Sequence, residues 1–525
     1  MGDRDNEPST VWQPELNEMA YREEQAKRLG GPENVDRHHR SGRLTARERI
    51  FLLLDPETFH EIGILTGKGE YDGEGQLKSF HPSNIIMGKG KIAGRTVVVA
   101  AEDFTVRGGS SEATSSEKWQ FAEQHALEYR LPLIRLVDAA GGSIKLLEQS
   151  QSTKIPGYPH WRLAELLGVV PVVGVALGPC AGLGTVRVVA SHFSVMVKGT
   201  SQVFAAGPAV VGPGISMDID KEDLGGSKVH AHGSGVVDNE AVDEQDAMQQ
   251  VRQFLSFLPP NVFHISPRIV TDDPPGRTEE QLASVIPRDR RTVYNMRTIL
   301  NLIFDKTTLF EVGQYQGRSS ITMLGRLNGY AVGIMANDPY AYGGAMTAEA
   351  AEKITRFVDM CDSFHLPIVN FIDQPGVYIG PGAEAKGTIR KAIRARMAIG
   401  QASVPWATVF VRRAFGVAGA TYGPLDKADI RMAWPSAYWG SIPVEGGVEA
   451  AYRREISKNP APENKKQELM RYYHQLESPF RTAEKFGIEE IIDPRNTRRL
   501  LTEWTDEAYA VIPETLGITR RTMRM

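Results

Sequence analysis

Residues 85–104 read IIMGKGKIAGRTVVVAAEDF, and residues 321–339 read ITMLGRLNGYAVGIMANDP. Each is a pair of apolar runs joined at a turn, Gly94 in the first and Asn328-Gly329 in the second, which is a strong hairpin signal. The two stretches sit inside a gapless alignment of residues 90–142 on 325–377 at a constant offset of 235, with 14 of 53 pairs identical. Average composition would give about three. The identities include Asp103/Asp338, Gly108/Gly343, Gly109/Gly344, Lys118/Lys353, Pro132/Pro367, Asp138/Asp373 and Gly141/Gly376. After one residue of slippage, VVPVVGVALGPCAGLG (169–184) lies over SVPWATVFVRRAFGVA (403–418), with Pro171 on Pro405 and Gly182 on Gly416. A period this long is no solenoid; it means two homologous domains. DDPPGRTEE (272–280) suits a linker, which places the domains at 1–275 and 276–525.

Both halves continue alike. A Gly-Gly loop follows the hairpin, then a helix is expected over 112–129 and 347–364, then a short apolar strand, LIRLVD (133–138) or IVNFID (368–373). Another Gly-rich turn, a helix and a strand complete the unit. Strands alternating with helices predict an α/β fold with buried, mostly parallel strands. Ahead of the first repeat, TARERIFLLLD (45–55) opens with Thr45 and Glu48 at capping-box spacing. The tail beyond 445 reads as polar helices.

A chain of 525 residues is too long for one hydrophobic core. Net charge is −4, so no overall basic field recruits nucleic acid or a membrane surface. Two cysteines exclude a disulfide scaffold and a four-cysteine zinc site. The N-terminus, MGDRDNEPST, has no apolar signal-peptide core. The most apolar stretch, Leu163 to Gly184, contains Glu165, Pro171 and Pro179, and reads as a buried strand with flanking turns. A cytoplasmic protein is expected.

Side-chain catalysts are scarce. Cys180 and Cys361 have no histidine at nucleophile–base spacing and read as buried structural residues. His38-His39 and His230-x-His232 lack a third ligand in a recognisable pattern and read as loop histidines, so no metal is expected. Asp138 and Asp373 end equivalent strands, and their twinning favours a structural role over an acid/base pair. The glycines say more. Gly108-Gly109, Gly141-Gly142 and Gly182-Leu183-Gly184 stand where Gly343-Gly344, Gly376 and Gly416-Val417-Ala418-Gly419 stand in the second half. A strand-to-helix turn points free backbone N–H groups into a crevice, which suits a phosphate or an enolate oxygen.

The chain resembles the carboxyltransferase (β) subunits of biotin-dependent acyl-CoA carboxylases, the group with propionyl-CoA and methylcrotonyl-CoA carboxylases. GRLTARERIFLLLDPETFHEIG (42–63), EDFTVRGGS (102–110), GPCAGLGTV (178–186) and LGGSKVHAHGSGVVD (224–238) carry the likeness in the first half. FLSFLPPN (254–261) closes that half. VYNMRTILNLIFD (293–305), CDSFHLPIVNFIDQPG (361–376), the run from Gly387 to Gly423 and AWPSA (433–437) carry it in the second.

The resemblance implies two crotonase-like ββα-superhelix domains in tandem, and a homo-oligomer assembled as a hexamer, a trimer of dimers. It implies that carbon dioxide passes from carboxybiotin to the enolate of a CoA thioester, with biotin carried by a biotin carboxylase or carboxyl carrier subunit. By motif position the amides at Gly182 and Leu183 serve the thioester enolate, and those at Val417 and Ala418 serve the biotin carbonyl. Gly108, Gly109, Ser110, Gly141 and Gly142 fall on the CoA side, and Gly376 and Gly416 on the biotin side. Leu183 and Val417 replace glycines usual in the family, and Ala420 stands where short-chain carboxylases often carry an acid. A substrate bulkier or less polar than acetyl-CoA follows, with the loop STKIPGYPHW (152–161) also bearing on pocket size. No Met-Lys-Met biotin-attachment pattern occurs; Met523-Arg524-Met525 is nearest, so carboxybiotin must come from another polypeptide. A biotin-dependent decarboxylase subunit, a simple crotonase enzyme and a non-catalytic paralogue in a mixed hexamer are the rival readings.

Overall fold

The computed structural model describes residues 11–153, 161–424 and 430–519. The termini, most of the 152–161 loop and the Met523-Arg524-Met525 pattern lie outside the described residues. The chain divides into two compact units: residues up to His230 with Glu240–Arg252, and Ala231–Asn239 with the chain from Gln253 onward. This division falls ahead of the 272–280 linker, because the chain just after Arg252 is tied into the second unit. The Arg326 guanidinium donates to the carbonyls of Ser256 and Pro267 at 2.7 and 3.0 Å, and the Ile269 N–H donates to Gly329 at 3.1 Å.

In the first unit the hairpin pairs Ile85–Ile92 antiparallel with Arg95–Glu102. Its turn residues, Ala93 and Gly94, both take left-handed backbone (φ 49° and 78°), as a two-residue turn requires. The Asp55 carboxylate accepts from both their N–H groups at 3.0 and 2.8 Å. The strands Leu133–Ala139, Val172–Ala181 and Phe193–Val197 then add in parallel. The Leu133–Ala139 strand is buried along its whole length, which is why its sequence shows no polar alternation. The helix Ser116–Tyr129 starts four residues after the expected 112. Residues 112–115 are instead held as a turn, because the Ser143 hydroxyl donates to the Glu112 carboxylate at 2.6 Å. Thr45 and Glu48 form the reciprocal capping box of the helix Ala46–Leu53.

The second unit repeats this plan. Ser320–Leu327 pairs antiparallel with Tyr330–Asn337, and Ile368–Gln374, Trp406–Phe415 and Ile430–Ala433 follow in parallel. Asn328 and Gly329 are left-handed (φ 51° and 81°), and Asp305 accepts from both N–H groups at 3.1 and 2.8 Å, as Asp55 does in the first unit. The core gathers Leu300, Ile303, Phe304, Ile334, Val369, Phe371 and Val409, all fully buried. Each such side chain contributes roughly 1.5–3 kcal/mol. The tail is helical, with Val444–Lys458, Pro462–Leu476 and Thr497–Val511. Among the described residues no helix is long and apolar enough to cross a membrane.

Candidate functional site

Val172–Ala181 ends in Gly182, whose φ 57° and ψ −115° only glycine adopts readily, and the chain turns at once into the helix Leu183–Val189. The N–H of Gly182 itself donates to the Phe204 carbonyl at 3.3 Å. Gly182 therefore supplies the turn, and the amides that a ligand can reach begin at Leu183. They belong to a first helical turn with no side-chain cap. In the second unit Trp406–Phe415 ends in Gly416 (φ 60°), followed by the short helical turn Gly416–Gly419, again with no side-chain cap. Because Gly416 takes the left-handed conformation, Val417 is spared it. Val417 is 49% exposed and Ala418 is buried. The equivalence is thus Leu183 with Val417 and Gly184 with Ala418, and the Gly182 N–H, named from sequence as a donor, is engaged by the Phe204 carbonyl.

The neighbouring glycine loops are stitched to these corners. Ser110 bridges to Gly141, and the Ser111 N–H donates to the Gly141 carbonyl at 3.2 Å. A Cβ added at Gly141 would stand 3.2 Å from Ala181, one residue before Gly182. A Cβ at Gly109 would stand 2.6 Å from the Asp138 carbonyl. Gly142 has open space around it. In the second unit the Met346 N–H donates to Gly376 at 3.0 Å, and a Cβ at Gly344 would meet the Asp373 carbonyl at 2.7 Å.

Asp138 and Asp373 are both fully buried. Arg43 and Arg49 reach Asp138 at 3.2 and 2.9 Å. Gly178 makes room for them, since a Cβ there would stand 2.0 Å from Asp138 Oδ1 and 2.7 Å from Arg43. At the position equivalent to Gly178 the second half has Arg412, and the guanidiniums come from the strand itself. Arg412 Nη2 and Arg413 Nε donate to Asp373 at 2.9 and 2.6 Å, and the Tyr294 hydroxyl donates at 2.9 Å. These partners hold the Asp373 carboxyl below the usual carboxylate range against its desolvation. Arg413 also donates to the Gly343 carbonyl at 2.7 Å, clamping the Gly343-Gly344 loop to the strand that leads into Gly416. Both aspartates are thus locked structural groups. The signal for Arg412 and Arg413 was in the sequence as a charged pair inside an apolar strand.

Other residues singled out from sequence resolve simply. Cys180 and Cys361 are buried free thiols, and burial pushes both thiols up, so neither is a thiolate. His38 and His39 lie on the helix Pro32–Arg40, and His230 and His232 on the π-helical turn Lys228–Ser234, rather than on loops. Among the described residues no group of three or more His, Cys, Asp or Glu is placed to hold a metal ion. Ala420 is exposed and lines a cavity of about 280 Å³ with Phe410, Tyr422, Trp439 and Ile488.

The carboxyl transferase domain model matches residues 37–511. The carboxyltransferase subunit of propionyl-CoA carboxylase from Haloferax mediterranei is 34% identical, covering 93% of this chain and 94% of that one. The alpha subunit of methylmalonyl-CoA decarboxylase from Veillonella parvula is 32% identical, covering 89% and 91%. Among solved structures, the hexameric transcarboxylase 12S with methylmalonyl-CoA and methylmalonic acid bound superposes with a TM-score of 0.85 at 28% identity, covering 100% and 99%.

Proposed function

The chain belongs to the carboxyl transferase domain family and is a biotin-dependent acyl-CoA carboxyltransferase; from that premise we propose how its two halves divide the reaction. The first half holds the acyl-CoA. The Leu183 amide, with the Gly141-Gly142 loop beside it, takes the thioester oxygen as negative charge develops there. The second half receives carboxybiotin, and the Val417 and Ala418 amides take the biotin carbonyl oxygen. Carboxybiotin, when bound, supplies the carboxyl group and the base for the α-proton. The residues present fit that need. Two uncapped first-turn N–H sets, each set up by a left-handed glycine, are suited to holding two such oxygens. That repeated corner is the observation that carries the assignment. Each donor of this kind is worth about 3–4 kcal/mol in the transition state. Asp138 and Asp373 are fully engaged by guanidiniums, which agrees with a base that is not a side chain.

The Ala420 cavity, lined mainly by apolar and aromatic groups with Arg431 at one side, supports an acyl group bulkier or less polar than acetyl. A hexamer of this chain alone, a separate biotin carboxylase or carrier partner and a cytoplasmic setting complete the proposal. The decarboxylase relative supports a second reading in which the same corners run the transfer in reverse. The test is direct. The pure chain with ATP, bicarbonate and propionyl-CoA should give no product, and adding the carboxylated carrier should start the reaction. Product without any biotinylated partner would overturn it. Methylmalonyl-CoA with free biotin then reads the reverse direction.

A further inference from the structure

Two buried ion pairs behind the first corner take no part in the chemistry above. Arg187 follows Leu183 by four residues on the helix Leu183–Val189, so the two share a face, and the arginine side chain leans back toward the corner. Both line one small pocket, with Ser116, Trp119 and Trp161. The buried Arg187 guanidinium donates to Glu102 at 2.7 Å and lies 4.2 Å from the centre of the Trp119 ring. The second pair holds the far end of the same helix. Arg135, fully buried, donates to the carbonyls of Arg187 and Ala190 at 3.3 and 2.8 Å and to the Glu123 carboxylate at 2.7 Å. Glu123 also accepts from the Trp161 indole N–H.

Stability does not explain these charges. A buried pair regains little more than its desolvation cost, and apolar residues of the same volume often do as well. The second half illustrates this. At the offset of 235, and 234 after the slippage, Glu102, Trp119, Glu123, Arg135 and Arg187 become Asn337, Ile354, Val358, Asn370 and Thr421. The same backbone plan there carries the same kind of corner with no charge at any of these positions. The reaction gives the two corners different needs. At the first, a neutral thioester becomes an enolate: its α-carbon gives a proton to the base supplied with the cofactor, and the C–H electron pair spreads onto the thioester oxygen. One unit of negative charge appears where there was none. The carboxylated cofactor brings its negative charge to the second corner with it, so the net charge there does not grow. A fixed cation speeds a step only where charge develops.

We infer that Arg187 is a positioning residue for the enolate: held by Glu102 and Trp119, its guanidinium stands behind the Leu183 amide and favours the anionic over the neutral state of the substrate. The inference rests on the acyl-CoA reading above. Of the pair only Arg187 lines the pocket beside Leu183, so the cation faces the corner and the carboxylate stands behind it.

The experiment compares the full chain with two variants. Arg187→Met/Glu102→Gln removes the pair and leaves neither partner as an unpaired charge; Glu102→Gln alone leaves the guanidinium without its countercharge. Two ligands that differ in charge at the reacting end report on the corner: S-carboxymethyl-CoA, an anion there, and its neutral amide, S-carbamoylmethyl-CoA. By calorimetry the wild type should prefer the anion. The double variant should lose about tenfold of that preference, through the anion alone, and Glu102→Gln should raise it above wild type. In transfer from carboxylated carrier, kcat of the double variant should fall about tenfold or more with the KM for propionyl-CoA unchanged. A double variant with the anion preference and kcat of the wild type would overturn the inference. So would a loss of affinity shared equally by both ligands, the mark of a merely structural role, or a preference that falls in Glu102→Gln. A wild type that binds both ligands without preference contradicts the role of Arg187 alone, whereas one that binds neither removes the acyl-CoA reading and the inference with it.

Discussion

Gly182 and Gly416 carry the two corners by backbone conformation alone. At Gly182 the nearest atom to an added Cβ is the Ala205 carbonyl oxygen at 4.0 Å, so Gly182→Ala meets no clash. Its cost is conformational, because φ 57° with ψ −115° is strained for an L-residue and relaxation would turn the Leu183 amide away. Turnover should fall roughly 10²–10³-fold, the loss of one oxyanion donor, with the thermal midpoint little changed. Retained turnover would sink the role given to this corner. Asp373 acts differently. Asp373→Asn leaves Arg412 buried without a countercharge, which costs about 3–5 kcal/mol and should appear as a lowered urea midpoint. The folded carboxyl is held below its unfolded pKa, so its stabilisation is present above about pH 4 and is lost as pH falls through the folded value. Wild type should therefore lose stability more steeply than the variant in that acid window. Identical acid profiles would contradict the pairing.

The twin helices show how far one sequence can be read. Lys118 and Lys353 align in the repeat, and the structure gives both the same role. Nζ of Lys118 donates to the Gly63 carbonyl at 2.9 Å, and Nζ of Lys353 donates to the Gly313 carbonyl at 3.0 Å. Each ties its helix to the turn beside the first strand of its sheet. Desolvation pushes Lys118 down to about 8 and Lys353 to about 7. A lysine with a lowered folded pKa binds fewer protons folded than unfolded between about pH 7 and 10, so stability rises with pH across that window. Lys353→Met should remove part of that rise, read as chemical-denaturation midpoints at pH 7 and pH 9.5; an unchanged slope would show the lysine titrates normally. The offset of 235, the hairpin turns and the capping box were legible because each is local or repeated. The pairing of the arginines with the aspartates was not, because equal aspartates take their guanidiniums from different parts of the chain. Arg49 lies 89 residues from Asp138, whereas Arg412 lies 39 residues from Asp373. The engagement of the Gly182 amide was also hidden, since only the fold brings the Phe204 carbonyl to it.

Across the whole molecule, the two halves share a backbone plan and differ in what lines it. The first half carries Arg37, Arg43 and Arg107 around one cleft, and the second carries Phe410, Tyr422 and Trp439 around another. The division makes a kinetic prediction. Gly416→Ala should lower turnover and raise the KM for free biotin in methylmalonyl-CoA decarboxylation, while leaving the calorimetric affinity for the CoA thioester unchanged. Gly108→Val works on the other side. Gly108 is left-handed (φ 62°), where a β-branched residue is strongly disfavoured, and it lines the basic cleft. That variant should weaken CoA-thioester binding and leave the free-biotin KM in place. Changes at two sites that do not share contacts act independently, so the double variant should show additive losses within about 0.5 kcal/mol. Variants that each moved both constants by the same factor would show that the halves do not divide the substrates.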